Sequence, residues 1–170
     1  MKTLYILRHA KSSWAQPGLG DIERPLNPRG LRQSENLHHW FSNREDKPNL
    51  VLCSPSVRTR QTWTGISKAM PDAVMEIEPG FYHGVIDAYL ASIWGQDAEK
   101  LMIVGHNPTC DELARYLTAP DSPAAEKLMA HHIGTATLAI FECEIDKWSE
   151  LGQGSGNLIQ LLRPKELSDT

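Results

Sequence analysis

The sequence predicts an α/β fold: a three-layer, doubly wound, mostly parallel sheet with helices on both faces. Two observations carry this expectation. Four short apolar runs continue without polar alternation, as strands buried on both faces do: TLYILR (3–8), NLVLC (49–53), AVMEI (73–77) and LMIVG (101–105). Helical patterns fall between them, and strands alternating with helices imply a parallel sheet. With 170 residues and 41% hydrophobic content, residues 1–170 are expected to form one domain with a single core.

The elements follow in order. TLYILR opens the chain as a buried strand. A polar loop holding several Gly and Pro breaks (17–28) leads to a helix over 28–42, with Leu31, Leu37, His38 and Phe41 on roughly one side. NLVLC and a helix over 55–69 follow, the latter presenting Val57, Trp63 and Ile66. AVMEI is the weakest strand signal. A helix over 86–94, the clear strand LMIVG and a helix over 109–117 complete the alternation. TATLAIFE (135–142) and NLIQLL (157–162) read as two last strands. Residues 119–134 read as irregular, and GQGSGN (152–157) as a turn or loop. Asn27-Pro28, Ser54-Pro55 and Asn107-Pro108 each place a capping side chain beside a proline, the form of a helix start. Thr109 with Glu112 offers a capping box as an alternative third start.

Bulk properties exclude several classes. Seventeen basic against 21 acidic residues give a net charge of −4, which leaves no general footprint for nucleic acid or an anionic membrane. Cys53, Cys110 and Cys143 are widely spaced with no C-x-x-C pair, so reduced thiols in a cytoplasmic protein are expected. The N-terminal apolar run is broken by Arg8 and His9 and is too short for a signal peptide or a membrane span. No P-loop and no H-E-x-x-H occurs. His38-His39 and His131-His132 are adjacent pairs, whose side chains point apart and make poor joint metal ligands. Trp14 is expected at a pocket mouth; Trp40, Trp63, Trp94 and Trp148 are expected in the core or half-buried.

The chemistry sits at strand ends, where ligands bind in a doubly wound sheet. The first strand ends at Arg8-His9. The second ends at Cys53-Ser54-Pro55, with Arg58 and Arg60 one helical turn on. The third clear strand ends at Gly105-His106-Asn107-Pro108. If these strands are neighbours, arginines and two histidines meet on one rim. Guanidinium forks match phosphate oxygens in pairs. Histidine, ordinarily titrating near 6.5, attacks phosphorus when neutral and donates to a phosphate oxygen when protonated.

At these residues the sequence resembles the histidine phosphatase superfamily, whose signature is a strand followed by Arg-His-Gly; here Ala10 replaces the glycine. RHAKSSW (8–14), D-x-x-RPLNPRG (21–30), SPSVRTRQT (54–62) and GHNPT (105–109) resemble its SixA-type phosphohistidine phosphatases. The resemblance implies a phosphoglycerate mutase-like fold and a phosphatase acting through a covalent phosphohistidine on His9. It implies that Arg8 and Arg58 bind phosphate, that His106 donates to it, and that Arg60 is peripheral. No metal or cofactor is expected, because side chains carry the charge that stabilises the transition state. The expected partner is a phosphorylated substrate, such as a phosphohistidine-containing protein domain.

Lys11, Ser12 and Ser13 follow the nucleophile and are candidates to bind substrate beyond its phosphate. The general acid that larger family members carry has no clear match; Glu78 and His83 are the candidates. Three alternatives stay open: a small-molecule phosphatase, a mutase, and a binding module that holds a phosphorylated ligand without turnover.

Overall fold

A computed structural model of the chain describes residues 1–167. Six strands form one sheet: β1 (Lys2–Arg8), β2 (Leu50–Cys53), β3 (Val74–Ile77), β4 (Lys100–Gly105), β5 (Leu138–Cys143) and β6 (Gly156–Leu162). Their order is β3-β2-β4-β1-β5-β6. The pairs β3–β2, β2–β4 and β4–β1 are parallel, and β5 runs antiparallel to both of its neighbours. The strands that end in Arg8, Cys53 and Gly105 are therefore adjacent and co-directional. Their carboxyl ends open onto one rim, where an α/β sheet places its ligand.

The apolar runs are continuous because both faces of these strands are covered. Leu4, Ile6, Leu52, Leu101 and Ile103 face α3 (Ile86–Trp94) and α4 (Thr109–Leu117), packing with Tyr89, Ile93, Leu113 and Leu117. Tyr5, Leu7, Val51, Met102 and Val104 face α1 (Pro28–Ser42) and α2 (Val57–Ile66), packing with Leu37, Phe41, Trp63 and Ile66. Each such side chain stabilises the fold by about 1.5–3 kcal/mol relative to exposure. A polar residue on either face would forfeit that gain. β3 is one of the two edge strands, and its exposed Val74 and Ile77 account for the weak signal there.

Helix starts differ from expectation at two of three places. Asn27 caps α1 as expected, its Oδ1 accepting from Gly30 N at 2.9 Å. The cap of α2 is Ser56, which accepts from Thr59 N, and Ser54 is engaged elsewhere. The 55–69 helix is thus shorter, with a 3-10 turn over Ser67–Ala69 completing it. α4 opens with no side-chain cap. Asn107 Nδ2 donates to the Ile133 carbonyl and Thr109 Oγ1 to the Gly84 carbonyl, so neither expected cap forms.

Two helices lie where none was expected: α5 (Ala125–Ala130), inside the stretch read as irregular, and α6 (Pro164–Leu167). Both are too short to produce a periodic signal. β5 starts at Leu138, after Ala136 takes a left-handed turn at φ 54°. All three cysteines are free and buried. Trp148 and Trp63 are buried, whereas Trp14 and Trp94 are exposed. Among the described residues no helix is long and apolar enough to cross a membrane.

Candidate active site

The end of β1 is clamped from both sides. His9 N donates to the Gly105 carbonyl of β4 at 3.1 Å, and Arg8 N donates to the Thr137 carbonyl before β5. Ala136 N donates to the carbonyls of both Arg8 and His9 at 3.1 Å. A left-handed alanine costs on the order of 1 kcal/mol, and here that conformation aims one amide at the carbonyls of both Arg8 and His9. The turn that follows is fixed equally well. Ala10 N donates to Thr62 Oγ1, Lys11 N to Gln33 Oε1, and Asn27 N to the Lys11 carbonyl. α1 touches this turn through Gly30, where a Cβ would lie 2.1 Å from the Lys11 oxygen.

The two imidazoles are buried, with ring centroids 5.2 Å apart. Nδ1 of His9 lies 2.8 Å from the Ala10 carbonyl. A carbonyl only accepts, so Nδ1 carries the hydrogen and the lone pair sits on Nε2. His106 has its Nε2 2.7 Å from Ser54 Oγ and its Nδ1 3.5 Å from Arg58 Nη2. Arg58 only donates, so Nδ1 of neutral His106 accepts; protonation turns it into a donor. The backbone of His106 is held by Tyr89, whose hydroxyl accepts from His106 N and donates to the Phe81 carbonyl. Tyr89 comes that close because Gly105 has no Cβ, which would lie 2.4 Å from the hydroxyl.

Burial, reinforced by the Arg58, Arg8 and Arg24 charges, pulls His9 down to about 4 against the hydrogen bond to Ala10, which raises it. Burial, then His9 and Arg58, pulls His106 down to about 3. Both rings are neutral near pH 7. His9 thus presents an unprotonated Nε2, and a bound dianion would raise both values by offsetting the arginine charges.

The cations around them come from separate elements. Arg8 Nη1 donates to the Ile133 carbonyl at 3.1 Å, and its buried Nε has no partner among the described residues. Ile133 N in turn donates to Asp111 Oδ1, and Asp111 Oδ2 accepts from Arg115 and His132. Arg58, in the first turn of α2, donates from Nη1 to the Asp21 carbonyl and from Nη2 to Asp21 Oδ2 at 3.0 Å. Asp21 also accepts from Arg24 Nη1 at 2.8 Å and Tyr82 Oη at 2.6 Å. The Tyr82 hydroxyl, then Arg58 and Arg24, hold its carboxyl well below the usual carboxylate range. Arg24 completes the rim, donating to the Ser13 carbonyl and Ser12 Oγ, with its guanidinium 3.3 Å from the Trp14 ring centroid.

These residues enclose an open cleft of about 360 Å³. Arg8, His9, Arg58 and His106 all line it, as do Lys11, Ser12 and Trp14. Ser13 lies outside, with its Oγ accepting from Ala15 N. Arg60 lies outside too, bonded to the Pro55 carbonyl. The two acid candidates separate. His83 lines the cleft, but Glu78 does not: its carboxylate accepts from Gly80 N and caps the 3-10 turn Pro79–Phe81. Asp21, Arg24, Tyr82 and Thr135 line the cleft and carried no assigned role in the sequence, and Asn107, read there only as a helix cap, lines it too. Asp21 and Arg24 do stand in the D-x-x-RPLNPRG stretch, so a signal existed for them. Asn107 likewise stands in the GHNPT stretch beside His106, whereas Tyr82 and Thr135 are brought in only by loop packing.

Among the described residues four cations, Arg8, Lys11, Arg24 and Arg58, and one carboxylate, Asp21, line the cleft, an arrangement suited to a tetrahedral dianion. Among the described residues no group of three or more His, Cys, Asp or Glu is placed to hold a metal ion.

The model of the histidine phosphatase superfamily (branch 1) matches residues 4–83, spanning Arg8, His9, Asp21 and Arg58. The chain belongs to the histidine phosphatase superfamily. An uncharacterized chloroplastic protein of Arabidopsis thaliana is 30% identical over 186 residues, covering 96% of this chain and 78% of that one. Among solved structures, a candidate phosphohistidine phosphatase SixA from Nakamurella multipartitia superposes with a TM-score of 0.82 at 28% identity, covering 96% of each chain. Another from Agrobacterium tumefaciens gives 0.80 at 28% identity, covering 96% of this chain and 98% of that one. These similarities place the histidine phosphatase fold over nearly the whole chain. The protein is a phosphatase of this superfamily.

Proposed function

We propose that this phosphatase hydrolyses protein-bound phosphohistidine through a covalent phosphohistidine intermediate on His9. One observation carries the choice of substrate. Among the described residues Asp21 is the only carboxylate lining the cleft, and its oxygens are taken by Arg24, Arg58 and Tyr82. No carboxylic acid is therefore held ready to protonate an alkoxide. A phosphoramidate leaves through a nitrogen that takes its proton readily and has little need of one.

The chemistry follows from the donors described. Nε2 of His9 attacks phosphorus in line, the new N–P bond forms as the substrate's N–P bond breaks, and the leaving imidazole takes a proton from water. Arg8, Arg58 and the rim arginine Arg24 stabilise the equatorial oxygens, the largest catalytic contribution in such sites. His106, protonated at Nδ1 once the dianion is bound, donates a further hydrogen bond. Water then attacks the phosphorus, its proton leaves to solvent, and His9 regains its lone pair. The cleft, open among the described residues, admits a phosphoryl group carried on a protein and keeps water close for the second step.

His83 favours a second reading, a phosphomonoesterase in which that imidazole protonates an alcohol leaving group. Phosphate release from a phosphohistidine protein and from p-nitrophenyl phosphate separates the two. The proposal predicts at least tenfold higher kcat/KM on the protein and no effect of His83→Ala on it. Comparable rates on both, lost with His83→Ala on the ester, would establish the second reading instead. Binding of inorganic phosphate with no release from either would point to a phospho-ligand binding module.

A further inference from the structure

Asp111 is a buried carboxylate that takes no part in the chemistry above. It stands in the first turn of α4, where a negative charge suits the helix dipole. That suffices for an acid in solvent, but Asp111 is only 8% exposed, and a buried charge is tolerated only where its oxygens are engaged. Both are engaged here. Oδ2 accepts from Arg115 Nε at 2.8 Å, one helical turn on. Oδ1 accepts from Ile133 N at 2.8 Å, across 22 positions of sequence. Burial pushes the carboxyl up, but the hydrogen bonds from Arg115, Ile133 and His132 outweigh it and hold the group below its ordinary value. Asp111 is therefore a charged acceptor near pH 7.

The bond to Ile133 leads to the cleft. The Ile133 carbonyl accepts from Arg8 Nη1 at 3.1 Å and from Asn107 Nδ2 at 2.7 Å. One carbonyl thus joins the residue before His9 to the residue after His106. Arg115 reinforces the hold on this segment, donating from Nη2 to the His131 carbonyl at 3.2 Å. For the Arg8 guanidinium, the Ile133 carbonyl is the one hydrogen-bond partner among the described residues. A long side chain anchored at one point keeps its plane only as well as that acceptor is held. Freed from Asp111, Ile133 can shift, and the guanidinium shifts with it.

We propose that Asp111 is a positioning residue for Arg8: it fixes Ile133, and the Ile133 carbonyl fixes the guanidinium against the phosphoryl group. The inference rests on the reading above that Arg8 binds phosphate. Asp111 itself does not line the cleft, so its effect passes through Arg8 and depends on Arg8 being present.

That dependence is the test. Asp111→Ala removes the acceptor and its charge, and Asp111→Asn keeps an acceptor for Ile133 N. Each is made alone and in an Arg8→Ala background. kcat/KM is measured on a phosphohistidine domain and on phosphoramidate, a small P–N compound. The Kd of inorganic phosphate is read by calorimetry, which needs no turnover. With Arg8 present, Asp111→Ala should lower kcat/KM on both substrates and weaken phosphate binding by about twentyfold, and Asp111→Asn by about fivefold. In Arg8→Ala either change should cost less than about twofold, because the group it positions is gone. Losses of the same size in both backgrounds overturn the inference, since a merely structural defect adds to that of Arg8→Ala. No loss from either Asp111 variant, with Arg8→Ala impaired, also overturns it and leaves the proposed function standing. If Asp111→Ala does not fold, the Asp111→Asn cycle decides by the same criteria. Arg8→Ala equal to the wild type overturns the phosphate role of Arg8 and this inference together. A wild type that binds phosphate and turns over neither substrate overturns the proposed function, and the cycle on phosphate affinity still decides the inference.

Discussion

On the floor of the cleft, Arg8, His9 and His106 stand at the ends of adjacent strands, tied by backbone hydrogen bonds from β4, β5 and the Tyr89 hydroxyl. On its rim, Ser12, Trp14, Arg24 and Tyr82 come from loops and meet largely through side chains, with a backbone bridge from Ser13 N to the Pro25 carbonyl joining the segments of Ser12 and Arg24. In-line transfer is sensitive to displacements of an ångström or less, which strand ends resist better than loops. The rim can vary with the substrate without moving His9, the proposed nucleophile. Asp21 is where the two meet, because it binds Arg58 from the floor side and Arg24 and Tyr82 from the rim.

Changes at each level should therefore differ in size. Arg58→Ala removes a floor donor and should lower kcat/KM by about 10²–10³-fold. Arg58→Lys should recover only part of it, because an ammonium cannot reproduce the fork on Asp21. Steady-state kinetics on the phosphohistidine domain measure this. A loss below tenfold for the alanine variant would show that the rim, not the floor, carries the charge stabilisation.

Asp21→Asn keeps the shape and frees both arginines, and a loss of about tenfold in kcat is expected, with KM unchanged or lowered by the added positive charge. Its stability effect has a definite sign. The folded carboxyl titrates below its ordinary value, so its contribution is complete above about pH 4 and is lost as pH falls below that range. The side chain is half exposed, which limits each pair to about 1 kcal/mol or less. The Tm of the variant should lie below that of the wild type at pH 7 and approach it at pH 3. A constant gap across that range would remove Asp21 from the account of stability.

Sulfate, a dianion that does not titrate, isolates the floor histidines. They are neutral at pH 5.5, with values near 4 and 3, and a bound dianion raises both. Binding should take up a fraction of a proton at pH 5.5 and almost none at pH 8. Calorimetry in buffers of different ionisation enthalpy reads the uptake directly, and proton release would reverse the electrostatics argued here. The smallest effect belongs to Trp14→Ala. This exposed ring packs on Arg24 alone among the cations, so the change should stay within threefold on phosphoramidate.

The same division governs what was legible in the sequence. The floor was readable because strand-end residues follow apolar runs: Arg8-His9 after LYIL, His106 after LMIVG. Their adjacency followed from a strand order that the alternation of elements restricts but does not determine. The rim was not readable in the same way. Tyr82 reaches Asp21 across 61 positions, and no local pattern encodes such a contact. Ser54 looked like a helix cap because it precedes a proline, yet it bonds His106, and the next serine caps α2. Glu78 failed as a cleft residue for a similar reason: a carboxylate before Pro-Gly found a nearer amide. Short helices such as α5 left no period to detect.

The account's central claim is that the phosphoryl group passes through His9. Rapid acid-free quenching of wild type and His9→Ala during turnover of a ³²P-labelled phosphohistidine domain tests it most directly. The account predicts an acid-labile, alkali-stable label on the wild-type chain within the first turnover, absent from His9→Ala, with kcat reduced on the order of 10⁴-fold or more. Turnover by the wild type with no label trapped on the chain, or a label that survives in His9→Ala, would contradict it.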